Sequence, residues 1–291
     1  MVKWTQVVKA SNIKFKSSFN AFITDKDIIM AHEYLHPTSR FLNKVALITA
    51  AGKGIGKTVS LMMGLEGARI VAVDIDSDCL NELSNELKEK KIPFLALKAN
   101  ALDEASAKQT VDQALKHFGA IDILVNGVGG STIHGRSSSK IDEMELSEFE
   151  ELLKFNLSGT FLMSRSVLPI MKKQKSGCIV NIASIAARGN AFSNGGYSAA
   201  KAGVVALTTK LAMEIAPFGL RCNAIAPGLT MTERMVTALE KTSADEMEKR
   251  ISQVPLGRFA TAEDQAKVIC FLASSDADFV TGSTIFVAGG L

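Results

Sequence analysis

The sequence predicts an α/β fold, a doubly wound parallel sheet of seven strands flanked by helices, in a single domain with an N-terminal extension. Two observations carry that prediction. From Lys44 onward, short apolar runs alternate with amphipathic segments. Apolar runs of this length, bounded by helices, mark parallel strands buried on both faces, and strand–helix alternation with right-handed crossovers winds such strands into one open sheet. The second observation is where the unusual residues fall. Ligands of such sheets bind at the carboxyl ends of the strands, and the motifs of this chain fall mostly there.

Taken in order, residues 1–40 differ from the rest. Lys3, Lys9, Lys14 and Lys16 are basic and no acid precedes Asp25. The segment lacks the continuous apolar core of a secretory signal, and its first arginine is Arg40, whereas organellar presequences favour arginine. It reads as an extension of unknown role, packed on the main domain or partly mobile, with a cleaved presequence as the alternative; the catalytic domain is 41–291. His32, Glu33 and His36 match the HExxH zinc motif, but Pro37 would stop that helix and no catalytic domain fits before the next strand. No metal site is predicted.

Strands are expected at 44–50, 69–74, 93–98, 121–126, 177–183, 219–226 and 284–288, and helices near 55–66, 77–90, 104–118, 147–173, 196–216 and 261–274. The first strand runs into Thr49, Ala50, Gly52, Lys53, Gly54, Ile55 and Gly56. Glycines between a strand and a helix let backbone N–H groups approach a pyrophosphate at the helix N-terminus. The same loop nearly matches a Walker phosphate loop through Gly56, Lys57 and Thr58, but Ala51 stands where that pattern needs glycine. Asp74 closes the second strand, eighteen residues after Gly56, where a dinucleotide fold places the acid that binds the adenosine ribose hydroxyls.

Farther on, Ser184 lies thirteen residues before Tyr197, and Lys201 four after it. On a helix Tyr197 and Lys201 share one face. A phenol starts near a pKa of about 10 and must fall several units to trade protons at neutrality. An ammonium about 4 Å away, at an effective dielectric near 20, supplies roughly 4 kcal/mol, or about three units. One lysine at that distance is then nearly sufficient, and a cationic cofactor nearby would supply the rest.

Together these motifs resemble the short-chain dehydrogenase/reductase family from about Phe41 to Leu291, with a Rossmann-type sheet. The family's TGxxxGxG runs from Thr49 to Gly56 with Ala50 in place of its first glycine; its NNAG is Asn126, Gly127, Val128 and Gly129, and Asn100 stands where an acid commonly follows the third strand. The resemblance implies a catalytic set of Asn156, Ser184, Tyr197 and Lys201. Cofactor contacts would come from Thr49, Gly52, Gly54, Ile55, Gly56, Asp74, Asn100, Ala101, Asn126, Gly127, Tyr197, Lys201, Pro227, Gly228 and Thr230, with Thr232 nearby. Tyr197 would exchange a proton with the substrate oxygen, Ser184 would hydrogen-bond that oxygen, Lys201 would lower the tyrosine pKa and hold the nicotinamide ribose, and Asn156 would hold a water leading to solvent. The expected activity is hydride transfer between a nicotinamide cofactor and a carbonyl or secondary alcohol. NAD is favoured because Asp74 would repel a 2′-phosphate; NADP remains possible because Lys53 precedes Gly54. The subgroup is that of 3-oxoacyl-carrier-protein reductases, so an NADP-dependent 3-oxoacyl thioester reductase is the alternative. A non-catalytic dinucleotide-binding subunit and a P-loop-like NTPase come further behind.

Loops 128–142, 185–196 and 228–255 should shape the substrate pocket, the last as a lid. Arg136, Lys140 and Arg188 are candidates for an anionic substrate, and Ala186, Ala187 and Phe192 for an apolar lining. A net charge of +3 implies no nucleic-acid partner. No apolar run reaches the roughly 18 residues of a membrane span. Four widely spaced cysteines fit a reduced compartment, so the cytoplasm is expected, and the resemblance implies a homotetramer built partly on helices 147–173 and 196–216.

Overall fold

A computed structural model describes residues 39–131, 140–189, 193–239 and 243–291; residues 1–38 of the extension with its HExxH stretch, Arg136 and Phe192 lie outside them. Seven parallel strands form the sheet in the order β3-β2-β1-β4-β5-β6-β9. They are β1 (Val45–Thr49), β2 (Arg69–Asp74), β3 (Phe94–Lys98), β4 (Ile123–Asn126), β5 (Gly177–Ile182), β6 (Leu220–Pro227) and β9 (Thr284–Val287). The order reverses beside β1, between β2 and β4, which is the switch point where such sheets open a crevice. β1 is buried at every position, as its unbroken VALIT run requires of a strand covered on both faces.

Helices α1 (Gly54–Leu65), α2 (Ser77–Glu89) and α9 (Ala262–Ala273) belong to one layer. Val59, Met63, Leu83, Leu87 and Ile269 pack there with Ile48, Ile70 and Val180. Helices α3 (Glu104–Phe118), α5 (Gly159–Gln174) and α6 (Gly195–Ile215) form the other, where Val111, Met163, Val167 and Ile215 meet Leu47, Val71, Leu124 and Ile179. Each alternate strand residue feeds one layer, so the period-two alternation of a pleated sheet divides the core in two.

Three features depart from expectation. The helix foreseen over 147–173 is α4 (Leu146–Leu153), a π-helical turn at Lys154–Ser158, and then α5; Asn156 sits in the widened turn, a distortion frequent at functional sites. The segment 228–255 contains α7 (Glu233–Leu239) and α8 (Ala244–Ser252). It is tied down by two-residue strands, β7 (Thr230–Met231) pairing in parallel with β8 (Ala260–Thr261), which bring the strands among the described residues to nine.

Candidate active site

The site lies along the carboxyl ends of β1, β2, β4, β5 and β6. At the switch point the backbone does most of the shaping. Thr49 Oγ1 reaches the Val125 carbonyl (3.4 Å) and accepts from Gly127 N (2.9 Å), locking the β1 and β4 ends together. A Cβ on Gly127 would lie 2.4 Å from the Thr49 oxygen, and one on Gly56 2.1 Å from the Ala50 oxygen, so neither position tolerates a side chain. Ala50, in place of the family's glycine, holds a left-handed φ of 51°. The turn is therefore kept, with strain that glycine would not carry. Ile55 packs against the core.

Asp74 accepts from Gly52 N at 2.9 Å and from Asp76 N at 3.0 Å. With Asn100, Ala101, Gly129 and Phe155 it lines a cavity of about 220 Å³. Asn100 braces its own turn by accepting from Leu102 N. Lys53, the one feature pointing to a 2′-phosphate, faces Asp76 at 3.7 Å.

The second cavity, about 400 Å³, is lined by Ser184, Tyr197, Pro227 and Gly228, with Ser131, Ile185, Leu229, Met235 and Gln253 around them. Tyr197 enters from the first turn of α6. Asn194 caps that helix by accepting from Tyr197 N at 2.7 Å, and its amide donates to Ser131 O. Sequence reading passed over Asn194, although asparagine just ahead of a helix is a known N-cap signal. Ser184 lies two residues beyond β5; its hydroxyl accepts from Ala186 N at 3.2 Å and hydrogen-bonds the Tyr197 phenol.

Lys201, one turn along α6, is 3% exposed and donates to the Ile182 carbonyl at 2.8 Å. Its Nζ lies 5.8 Å from the Tyr197 ring centroid. Desolvation brings its pKa down to about 7. Burial also pushes the Tyr197 phenol upward, opposed by the Ser184 hydrogen bond and the charge of Arg234. Desolvation thus works against both charged forms, the phenolate of Tyr197 and the ammonium of Lys201, and the phenol's helpers oppose it. Arg234, a residue of α7 that the sequence did not single out, is one of those helpers.

Asn156 is fully buried. Its Oδ1 accepts from Gly130 N at 2.8 Å, and its Nδ2 donates to Gly130 O and Leu152 O. A Cβ on Gly129 would fall 2.6 Å from Asn156 Oδ1 and 2.8 Å from Lys201 Nζ. The side chain thus clamps the loop after β4 against Lys201. Asn126 and Thr230 also serve the frame. Asn126 Nδ2 donates to Ser164 and Asn181, and Thr230 Oγ1 donates to Gly228 O and accepts from Gln265. Of the anion-binding candidates, Lys140 faces Glu143 at 3.8 Å and Arg188 lies over the Phe286 ring at 3.5 Å. Among the described residues no cluster of His, Cys, Asp or Glu is placed to hold a metal, and no helix is long and apolar enough to cross a membrane.

One cavity bordered by a strand-end carboxylate, a second lined by Ser184 and Tyr197, and a glycine turn at a helix N-terminus offer the donor chemistry that a dinucleotide needs. Comparison with known proteins agrees. Residues 49–291 match the family model described as enoyl-(acyl carrier protein) reductase. The chain is 36% identical over 258 residues to the 3-oxoacyl-[acyl-carrier-protein] reductase FabG of Thermotoga maritima, covering 87% of this chain and 99% of that one. It is 36% identical over 259 residues to the 7alpha-hydroxysteroid dehydrogenase of Bacteroides fragilis, covering 87% and 96%. Among solved structures, levodione reductase superposes with a TM-score of 0.81 at 32% identity, covering 86% of this chain and 98% of that one. NAD+-bound xylitol dehydrogenase gives 0.79 at 28%, covering 86% and 99%. The chain belongs to the short-chain dehydrogenase/reductase family, whose members are NAD(P)-dependent oxidoreductases of carbonyl and alcohol groups.

Proposed function

We propose that the chain is an NAD(H)-dependent dehydrogenase/reductase of neutral carbonyl compounds and secondary alcohols, with Tyr197 as general acid/base. The observation that carries the cofactor choice is the Asp74 carboxylate bordering the smaller cavity, with Lys53 turned to Asp76. A 2′-phosphate there would meet a carboxylate, while an exposed lysine pair contributes about 1 kcal/mol or less. NAD+-bound xylitol dehydrogenase supports the same choice.

Asp74 would hold the adenosine ribose, Asn100 and Ala101 the adenine, and the backbone from Gly52 to Gly56 the diphosphate. The loop at Gly127, Tyr197 and Lys201, and the Pro227–Thr230 turn would hold the nicotinamide half. When bound, the nicotinamide supplies hydride transfer with the substrate carbon. Tyr197 passes a proton to the carbonyl oxygen or takes it from the alcohol, and Ser184 donates a hydrogen bond to that oxygen. Lys201, protonated, lowers the cost of the phenolate, and Asn156 keeps Gly129 and Gly130 against it. An apolar cavity wall, with Lys140 and Arg188 engaged elsewhere, supports a neutral substrate.

Titration with NADH and with NADPH tests the reading. NADH should bind at least about tenfold more tightly, a difference of about 1.4 kcal/mol; equal or tighter NADPH binding would overturn it. The FabG relatives favour a second reading, an NADPH-dependent 3-oxoacyl thioester reductase, which predicts turnover of acyl thioesters above that of simple ketones. Exposed Phe161 on α5 and Met213 on α6 support a homotetramer, measurable by light scattering, and its FabG-like relatives support a cytoplasmic enzyme.

A further inference from the structure

The first turn of α7 lies across the turn that should receive the diphosphate. Gly54 opens α1 at φ 55°, and its N–H donates to Glu233 Oε2 at 3.0 Å, across 179 residues of sequence. α1 has no side-chain cap from Lys53 and no acid in its own first turn. A carboxylate brought from the lid therefore fills the position in which a helix N-terminus favours an anion. Thr232 packs beside it, its methyl 3.1 Å from where a Cβ on Gly54 would stand. The next residue, Arg234, places Nη1 3.4 Å from the Gly129 carbonyl in the loop after β4.

We propose that Glu233 is an anionic latch. It occupies the diphosphate subsite in the cofactor-free enzyme, holds α7 closed across it, and must leave when a dinucleotide enters. It therefore lowers cofactor affinity and couples lid position to cofactor occupancy. This rests on the dinucleotide reading above. The carboxylate and a phosphate oxygen are both acceptors competing for one N–H, so binding of one excludes the other.

The test compares the full-length protein with Glu233→Gln, Glu233→Ala and Glu263→Gln. The last removes an acid that lines the same recess and leaves the Gly54 contact in place. NADH affinity is read from the cofactor's own fluorescence, and lid opening from tryptic cleavage within 228–255 in cofactor-free protein. Both Glu233 variants should bind NADH about fivefold more tightly, the factor matching an anion at an exposed helix N-terminus, and be cleaved faster; Glu263→Gln should do neither. Unchanged or weaker binding by the Glu233 variants overturns the latch, as does an equal effect of Glu263→Gln, which would reduce it to a general field. If folded wild type and variants all fail to bind NADH, the cofactor reading falls instead. The cleavage rates then decide the latch, and unchanged rates overturn it.

Discussion

The two ends of the crevice are built from different materials. At the switch point, beside β1, β2 and β4, the backbone shapes the site: Gly127 and Gly56 lie so near carbonyl oxygens that no Cβ fits. At the β5–α6 end, buried side chains make it, and their protonation is displaced by the burial itself. The contrast shows how binding and turnover can be separated in one fold. Adding an atom should damage the first end, whereas removing a charge or a hydroxyl should damage the second.

The largest effect expected is at Lys201. Lys201→Met should lower kcat by roughly 10²–10⁴, the usual span for acid–base machinery. It should also change the dependence of stability on pH. The folded pKa near 7 lies below the ordinary 10.5. Between those values the unfolded chain binds a proton that the native protein does not, so wild-type stability should rise with pH, by at most about 1.4 kcal/mol per unit. Below pH 7 both states are protonated and the cost of the buried charge is constant. Chemical denaturation from pH 6 to 10 should show this rise in wild type and its loss in the methionine variant.

Gly127→Ala sharpens the other side. Its methyl would stand 2.4 Å from the Thr49 oxygen, forcing the β1 and β4 ends apart. The expected cost is about 1–3 kcal/mol of stability, typical of overpacking, with NADH affinity down by at least tenfold in the protein that still folds. The smallest effect has the opposite sign. Ala50→Gly should relieve the left-handed alanine and raise stability by about 0.5–1 kcal/mol, less the entropy glycine adds to the unfolded chain; a denaturant midpoint shift without a change in m would register it.

Much of this was legible beforehand, because it is local. Unbroken apolar runs gave the seven strands, and strand-end residues such as Asp74 and Ser184 could be placed without coordinates. What escaped was non-local or finer than periodicity. The π turn at Asn156 inserts into a pattern that otherwise reads as one helix from 147 to 173. The Glu233–Gly54 contact joins residues with no shared sequence signal. Arg234 falls in a lid too irregular to assign a direction. The displaced pKa values of Tyr197 and Lys201 depend on how completely the chain packed around them excludes water, which spacing alone does not report.

The account's central claim is that Tyr197 does proton transfer while the other end of the crevice holds the cofactor. The direct test is Tyr197→Phe, measured for NADH binding and for ketone reduction in the same preparation. Binding within about twofold of wild type with a rate down by roughly 10²–10⁴ is the predicted result. A phenylalanine variant that keeps wild-type turnover would contradict it.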